Sequence, residues 1–208
     1  MSKNIVIINY KMGNLNSIAN AIEYIGEKSL ISNEIKDIKN ADYIILPGVG
    51  AFSEGIKNIK DLNLINVLNE EVIKKRKPIL GICLGMQLLA DEGYEGGLNK
   101  GLGYIKGKVK RFNLKNKDLR VPHVGWNEVY LRKNCPLFYN LKESEVFYFV
   151  HSYHLIPEED ITVGICDYGK KFVAVIQKEN IFATQFHPEK SQKSGLQILK
   201  NFINYKKC

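Results

Sequence analysis

One stretch restricts the chain more than any other: Pro78-Ile-Leu-Gly81-Ile82-Cys83-Leu84-Gly85-Met86-Gln87-Leu88-Leu89. A short apolar run of β character arrives at a thiol, glycines stand two places before and two places after it, and an apolar segment able to form a helix leaves. This spacing predicts a tight strand-to-helix turn, where small neighbours let the backbone bend and a substrate approach. A helix starting there points its free N–H groups at the thiol, which favours the thiolate and can hold an oxyanion, two requirements of acyl transfer. Taken alone, the stretch equally suits a structural cysteine buried between a strand and a helix, because cysteine is among the most buried residue types.

The segments before it alternate. Residues 5–8 read as a buried strand and residues 10–14 as a turn; Leu15, Ile18, Ala19, Ile22 and Ile25 then recur at helical spacing until Gly26 stops the helix. A weaker strand at 29–32, a short helical piece carrying Ile35 and Ile38, and a strong strand at 43–46 follow. That strand ends at Pro47-Gly48-Val49-Gly50, which fits either a plain turn or a loop offering backbone N–H groups to a ligand. Amphipathic helices are expected over 52–60 and 64–75. Such alternation predicts an α/β fold with a mostly parallel, doubly wound central sheet and flanking helices, whose ligands sit beyond the carboxyl ends of the strands. Cys83 and the 47–50 loop both fall on that edge.

After residue 90 the texture changes. Residues 91–103 are rich in glycine and polar groups and read as a loop bordering the site. From there to residue 186 the segments are short, β-branched and aromatic, near 108–112, 128–131, 146–150, 161–165, 172–177 and 181–186, predicting an additional antiparallel β portion in the C-terminal half. A closing helix carries Leu196, Leu199, Phe202 and Ile203 on one face. No repeat or linker interrupts the chain, so a single domain over 1–208 is expected.

Composition excludes several function classes. The longest apolar runs are far too short to cross a bilayer and the N-terminus lacks a signal-peptide pattern, so a cytoplasmic protein with no membrane partner is expected. Cysteines at 83, 135, 166 and 208 make no Cys-x-x-Cys pair, which suggests neither a metal site nor a disulfide framework. The formal charge of +8 comes mostly from lysines spread along the chain without an arginine-rich tract, a pattern of solvated helix faces rather than of nucleic-acid binding.

A second chemical signal follows the last predicted strand, at Gln185-Phe186-His187-Pro188-Glu189. Pro188 biases His187 toward an extended backbone, in which residues two apart point to the same side. His187 and Glu189 can then face one site, the carboxylate holding the imidazole's tautomer and orientation, as in the base-plus-orienter half of a Cys-His-acid triad.

With that pair in place, Gly81-Ile-Cys83-Leu-Gly85-Met-Gln87 and His187-Pro-Glu189 resemble the class I, or triad-type, glutamine amidotransferases. Asn14-Leu-Asn-Ser17, Pro47-Gly-Val-Gly50, Pro122-His-Val-Gly-Trp126-Asn127, Tyr148-Phe-Val-His151-Ser152-Tyr153 and His187-Pro-Glu-Lys190-Ser191 resemble, within that family, the glutaminase subunits of imidazole glycerol phosphate synthases, over essentially the whole chain.

The resemblance implies a division of labour. L-Glutamine would be hydrolysed through a glutamyl thioester on Cys83, and ammonia passed without release to solvent to a separate (β/α)8-barrel synthase subunit for histidine biosynthesis, in a heterodimer that needs no cofactor. Cys83, His187 and Glu189 are the implied triad. The backbones of Leu84, Val49 and Gly50 are the implied oxyanion hole, in which the Val49 peptide can reorient. Gln87, Ser152 and Tyr153 would lie near glutamine, and Asn14, Trp126, Tyr148 and Lys190 would face the partner. His123 is assigned no catalytic role. Three other readings stay open: the same chemistry serving a paralogous barrel partner that amidates bacterial surface sugars, a stand-alone cysteine hydrolase, and a non-catalytic binding subunit.

Overall fold

The computed structural model describes residues 3–116 and 118–206, and Cys208 lies outside them. The first half of the chain supplies β1 (Ile5–Ile8), α1 (Leu15–Tyr24), β2 (Ser29–Ser32), α2 (Ile35–Asn40), β3 (Tyr43–Leu46), α3 (Phe52–Asp61), α4 (Leu64–Leu68), β4 (Ile79–Ile82) and α5 (Leu84–Leu88). The second half supplies β5 (Ala90–Gly93), β6 (Asn99–Lys100), β7 (Ile105–Arg111), β8 (His123–Leu131), β9 (Ser144–His151), β10 (Tyr153–Pro157), β11 (Thr162–Asp167), β12 (Lys171–Lys178), β13 (Ile181–Thr184) and α6 (Gln192–Ile203).

Nine strands form one sheet in the order β2-β1-β3-β4-β13-β12-β11-β8-β9. From β2 to β13 every pairing is parallel, and from β13 to β9 every pairing is antiparallel. β1, β3 and β4 read as nearly unbroken apolar runs because both of their faces are covered, whereas the edge strand β2 is partly exposed. The two-residue alternation of strand side chains sorts them between two cores. Val6, Ile8, Ile44 and Leu46 join Ile38, Phe52, Ile59 and Leu68 from α2 to α4. Ile5, Ile7, Ile45 and Leu80 join Ile18 and Ile22 of α1 and Ile198, Leu199 and Phe202 of α6 on the other face. Fully burying one such side chain is worth about 1.5–3 kcal/mol, so these two layers hold the strand ends in place.

The expected alternation is present, with three differences in detail. The helix expected over 64–75 is α4 followed by a π-helical turn at Asn69–Lys74. There Asn180 donates from Nδ2 to the carbonyls of Val72 and Lys77, at 2.9 and 2.8 Å. The glycine-rich stretch expected to be loop contains β5 and β6, which join β7 and β10 in a second, four-stranded sheet. β5 escapes a periodicity reading because it has only four residues and begins two residues after α5 ends. Tyr153 begins β10, a strand that no turn signal separates from β9.

The elbow depends on close contact between backbones. Gly85, in the first turn of α5, lies so near β3 that a Cβ there would stand 1.7 Å from the Leu46 carbonyl oxygen. Since backbone cannot yield as a side chain can, Gly85→Ala is expected to lower the unfolding free energy by about 3 kcal/mol, the upper part of the overpacking range, read from urea denaturation curves.

Candidate active site

Three adjacent parallel strands deliver the chemistry. β3 runs into the 47–50 loop, β4 into Cys83, and β13 into Gln185 and His187. The register sets Ile82 beside Thr184, and the Cys83 amide donates to the Thr184 carbonyl at 2.8 Å, so Cys83 and the segment leading to His187 leave neighbouring strands at one level. Cys83 has φ +53° and ψ −106°, a backbone region that side chains rarely occupy. A strained residue between a strand and a helix is the geometry expected of a nucleophile elbow, here with the thiol largely buried.

The His187 imidazole is nearly fully buried and its Nδ1 lies 2.8 Å from Glu189 Oε1. The mechanism of juxtaposition differs from the expected one. His187 is extended, but Pro188–Lys190 is a 3-10 turn, so the turn rather than a continuing strand brings Glu189 back onto the ring. Among the described residues neither Nε2 nor Glu189 Oε2 meets a partner in hydrogen-bond geometry, although the ring interacts with the Cys83 sulfur. Burial works against the charged ring, yet the Cys83 sulfur and then Glu189 outweigh it and lift the His187 pKa to about 10. The ring therefore keeps its second proton at neutral pH, beside the Cys83 sulfur.

A cleft of about 370 Å³ opens over the sulfur, lined by Val49, Gly50, Leu84, Gln87, Ser152 and Tyr153 among others. Every oxyanion and glutamine-contact candidate named from the sequence thus borders one space. The Gln87 Nε2 is spent on the Tyr153 carbonyl at 2.9 Å and on Gln185 Oε1 at 3.3 Å. The candidate oxyanion donors do not converge in this arrangement. The Leu84 amide donates to the Gly48 carbonyl at 3.3 Å. Because a trans peptide sets C=O and the next N–H on opposite sides, the Val49 N–H faces away from Leu84.

Three residues given no role from the sequence, Gln185, Glu95 and His151, border the site, and His123 stands behind His151. Gln185 Nε2 lies 3.7 Å from Cys83 Sγ; it stands two residues before His187, a period-two signal that could have found it. Glu95 lines the cleft and accepts the Phe52 amide at the start of α3, at 2.9 Å. His123 and His151 are buried and joined, Nδ1 to Nε2, at 3.0 Å. Asn127 Nδ2 reaches His123 Nε2 at 2.6 Å, and His151 Nδ1 reaches the Tyr153 carbonyl at 2.8 Å. An amide nitrogen only donates and a carbonyl only accepts, so each ring carries its proton on Nδ1 and both are neutral. Burial agrees, holding His123 down to about 4 and His151 to about 3.

Trp126, 45% exposed, meets the Tyr148 ring edge-on at 5.8 Å, and Lys190 Nζ stands 5.8 Å over the same ring. Asn14 is exposed and caps α1, its Oδ1 accepting the Ser17 amide at 3.3 Å; α1 packs beside the Pro188–Lys190 turn. An aromatic and cationic cluster thus lies outside the base-bearing turn. Among the described residues no helix is long and apolar enough to cross a membrane.

The family model for Glutamine amidotransferase class-I matches residues 6–205. The imidazole glycerol phosphate synthase subunit HisH 1 of Campylobacter jejuni (strain RM1221) is 50% identical over 199 residues, covering 96% of this chain and 98% of that one. Subunit HisH 2 of the same synthase from Vibrio vulnificus (strain YJ016) is 50% identical over 204 residues, covering 98% and 95%. The solved structure of PurLQS from Thermotoga maritima contains a chain of the same fold, with a TM-score of 0.67 at 20% identity, over 99% of this chain and 99% of that one.

The charge pattern gives a titration test. A group whose pKa is raised on folding keeps its proton through neutral pH and loses it only as pH rises through the folded value. Nitrogen-15 NMR of the imidazoles at pH 7 is expected to show His187 doubly protonated and His123, His151 and His154 neutral, with the His187 midpoint near 10 falling in Cys83→Ala.

Proposed function

Since the chain belongs to the class I glutamine amidotransferases, we propose that its cleft hydrolyses L-glutamine through Cys83, His187 and Glu189 and hands the ammonia to a barrel-shaped partner. The enzyme is a glutamine amidotransferase, the glutaminase subunit of an imidazole glycerol phosphate synthase in histidine biosynthesis, as relatives sharing half of its residues over nearly their whole length support. A subunit of a synthase has a partner subunit. To that partner we assign a (β/α)8 architecture, a one-to-one complex with this chain, a cytoplasmic setting and a direct passage for ammonia. The observation that carries the chemistry is the buried Glu189–His187 pair set against Cys83 on adjacent strand ends.

The Cys83 thiolate attacks the glutamine carboxamide carbon, and the electron pair of the C=O moves to oxygen. The imidazolium of His187 gives its Nε2 proton to the leaving nitrogen as the tetrahedral species collapses to a thioester and ammonia. The neutral ring then takes a proton from water, hydroxide adds to the thioester, and collapse returns thiolate, imidazolium and a γ-carboxylic acid that loses its proton to solvent as glutamate. Glu189 holds Nδ1 throughout. Glu95, the one carboxylate among the described residues lining the cleft, suits the α-ammonium of the substrate.

Stabilising either oxyanion requires the Gly48–Val49 peptide to turn over, so that the Val49 N–H replaces the Gly48 carbonyl beside Leu84. Losing one such donor costs about 10²–10³ in rate, which makes the free chain a slow hydrolase until its partner is engaged. The exposed Trp126, Lys190 and Asn14 and the half-buried Tyr148 form the surface we assign to that partner, a tryptophan being a common interface anchor.

Glutamate release from glutamine is expected to rise about 10²-fold or more when an imidazole-forming synthase partner and its nucleotide substrate are added, and to fall by at least about 10⁴-fold in Cys83→Ala. The numbered copies among the relatives, HisH 1 and HisH 2, give a second client a place in the same assay. A barrel partner from surface-sugar amidation that stimulates where the imidazole-forming one does not would keep the mechanism and change the pathway. Activity untouched by Cys83→Ala would overturn the triad.

A further inference from the structure

The resting position of the 47–50 loop has a cause on the neighbouring strand. The turn after β1 touches that loop at three points. The Tyr10 hydroxyl donates to the Pro47 carbonyl at 2.5 Å, and Tyr10 is wholly buried. A Cβ on Gly13 would lie 3.3 Å from Gly48 Cα, and one on Gly50 would lie 2.6 Å from the terminal methyl of Met12. A Cβ on Gly48 would come within 2.0 Å of the Tyr10 oxygen, so the phenol occupies the space directly behind the peptide that must turn over. The same peptide presents its carbonyl to the Leu84 amide.

We propose that Tyr10 is a latch for the oxyanion loop: its hydroxyl fixes the Pro47 carbonyl and backs Gly48, favouring the state in which the Gly48 carbonyl covers the Leu84 amide. The inference rests on the glutaminase reading above and adds a positioning residue to it. Tyr10 reaches neither the cleft lining nor the triad by hydrogen bond; it acts through the loop. A phenol has one proton to donate, and burial, with Cys83 adding to it, keeps that proton on the oxygen. The latch therefore stays a donor across the working pH range. It also stands at the head of the 10–14 turn that ends at exposed Asn14, four residues from the α1 cap. A partner pressing on that cap displaces the phenol from the loop, which ties release of the peptide to assembly.

Tyr10→Phe removes the hydroxyl and keeps the ring. Glutamate release is measured for the free chain and for the chain with an imidazole-forming synthase partner and its nucleotide, as kcat and KM separately. The latch predicts that kcat of the free variant rises about three- to tenfold, the worth of one neutral hydrogen bond, while kcat in the stimulated complex and KM for glutamine stay as in the wild type. The stimulation ratio then shrinks by the same factor. A merely structural phenol lowers both rates together and leaves the ratio unchanged, and that result overturns the latch. Should Tyr10→Phe fail to fold, 3,5-difluorotyrosine at position 10 keeps the shape with a stronger donor. Its free chain must then be slower than wild type, and an equal or faster rate counts against the proposal. Wild-type protein that shows no stimulation by any partner defeats the glutaminase-subunit reading, and the latch with it; stimulation with an unchanged ratio in Tyr10→Phe defeats the latch alone.

Discussion

β4 is hydrogen-bonded on both sides to parallel strands, β3 and β13, and the rest of the site follows from that alignment. Parallel neighbours end at the same level, so whatever leaves their carboxyl ends meets whatever leaves the next. A glycine-rich loop, a thiol and an imidazole are thereby assembled from three separate parts of the sequence. The alignment survives only because Gly85 lets α5 start against the Leu46 carbonyl. A side chain at that position would push the elbow away from β3 and separate the thiol from its loop.

The electrostatics are consistent with that arrangement. A buried imidazolium is costly alone, and here it is held between a carboxylate and a sulfur, both within the same enclosed space. The Leu84 amide is likewise not left empty at rest, when an unpaired buried N–H would cost about 1–3 kcal/mol. The Gly48 carbonyl satisfies it. The resting state is thus the paired one, and the reactive state becomes equally paired only when a substrate oxygen takes the place of that carbonyl. This exchange of acceptors couples substrate presence to loop state, alongside the Tyr10 contact with the Pro47 carbonyl.

Much of the fold was readable because the parallel strands are apolar on both faces and their helices are amphipathic, two periodicities that differ sharply. The chemistry was readable because Gly81, Gly85 and Pro188 leave marks on the chain at Cys83 and His187. What escaped did so for physical reasons. β5 and β6 are too short to show a period, and their pairing with β7 is a tertiary fact. Trp126 follows a glycine in a strand and carries no sign of which face it takes; the structure leaves it half exposed. His123 and Asn127 lie four apart on one strand and find His151 only because β8 and β9 pair antiparallel in that register. Glu95 sits in a polar stretch where a carboxylate is unremarked until the cleft forms around it.

The run from Asn127 through His123 and His151 to the Tyr153 carbonyl has its direction fixed at both ends. Asn127 can only give at one end and the carbonyl can only receive at the other, so every proton between them has one possible place. Such a series cannot be edited a member at a time. Exchanging either imidazole for an apolar side chain strands a donor or an acceptor in the interior, beside a carbonyl that also receives Gln87. A change at one of these three positions is tolerated only with matching changes at the others, so the inner wall behind Tyr153 behaves as one unit.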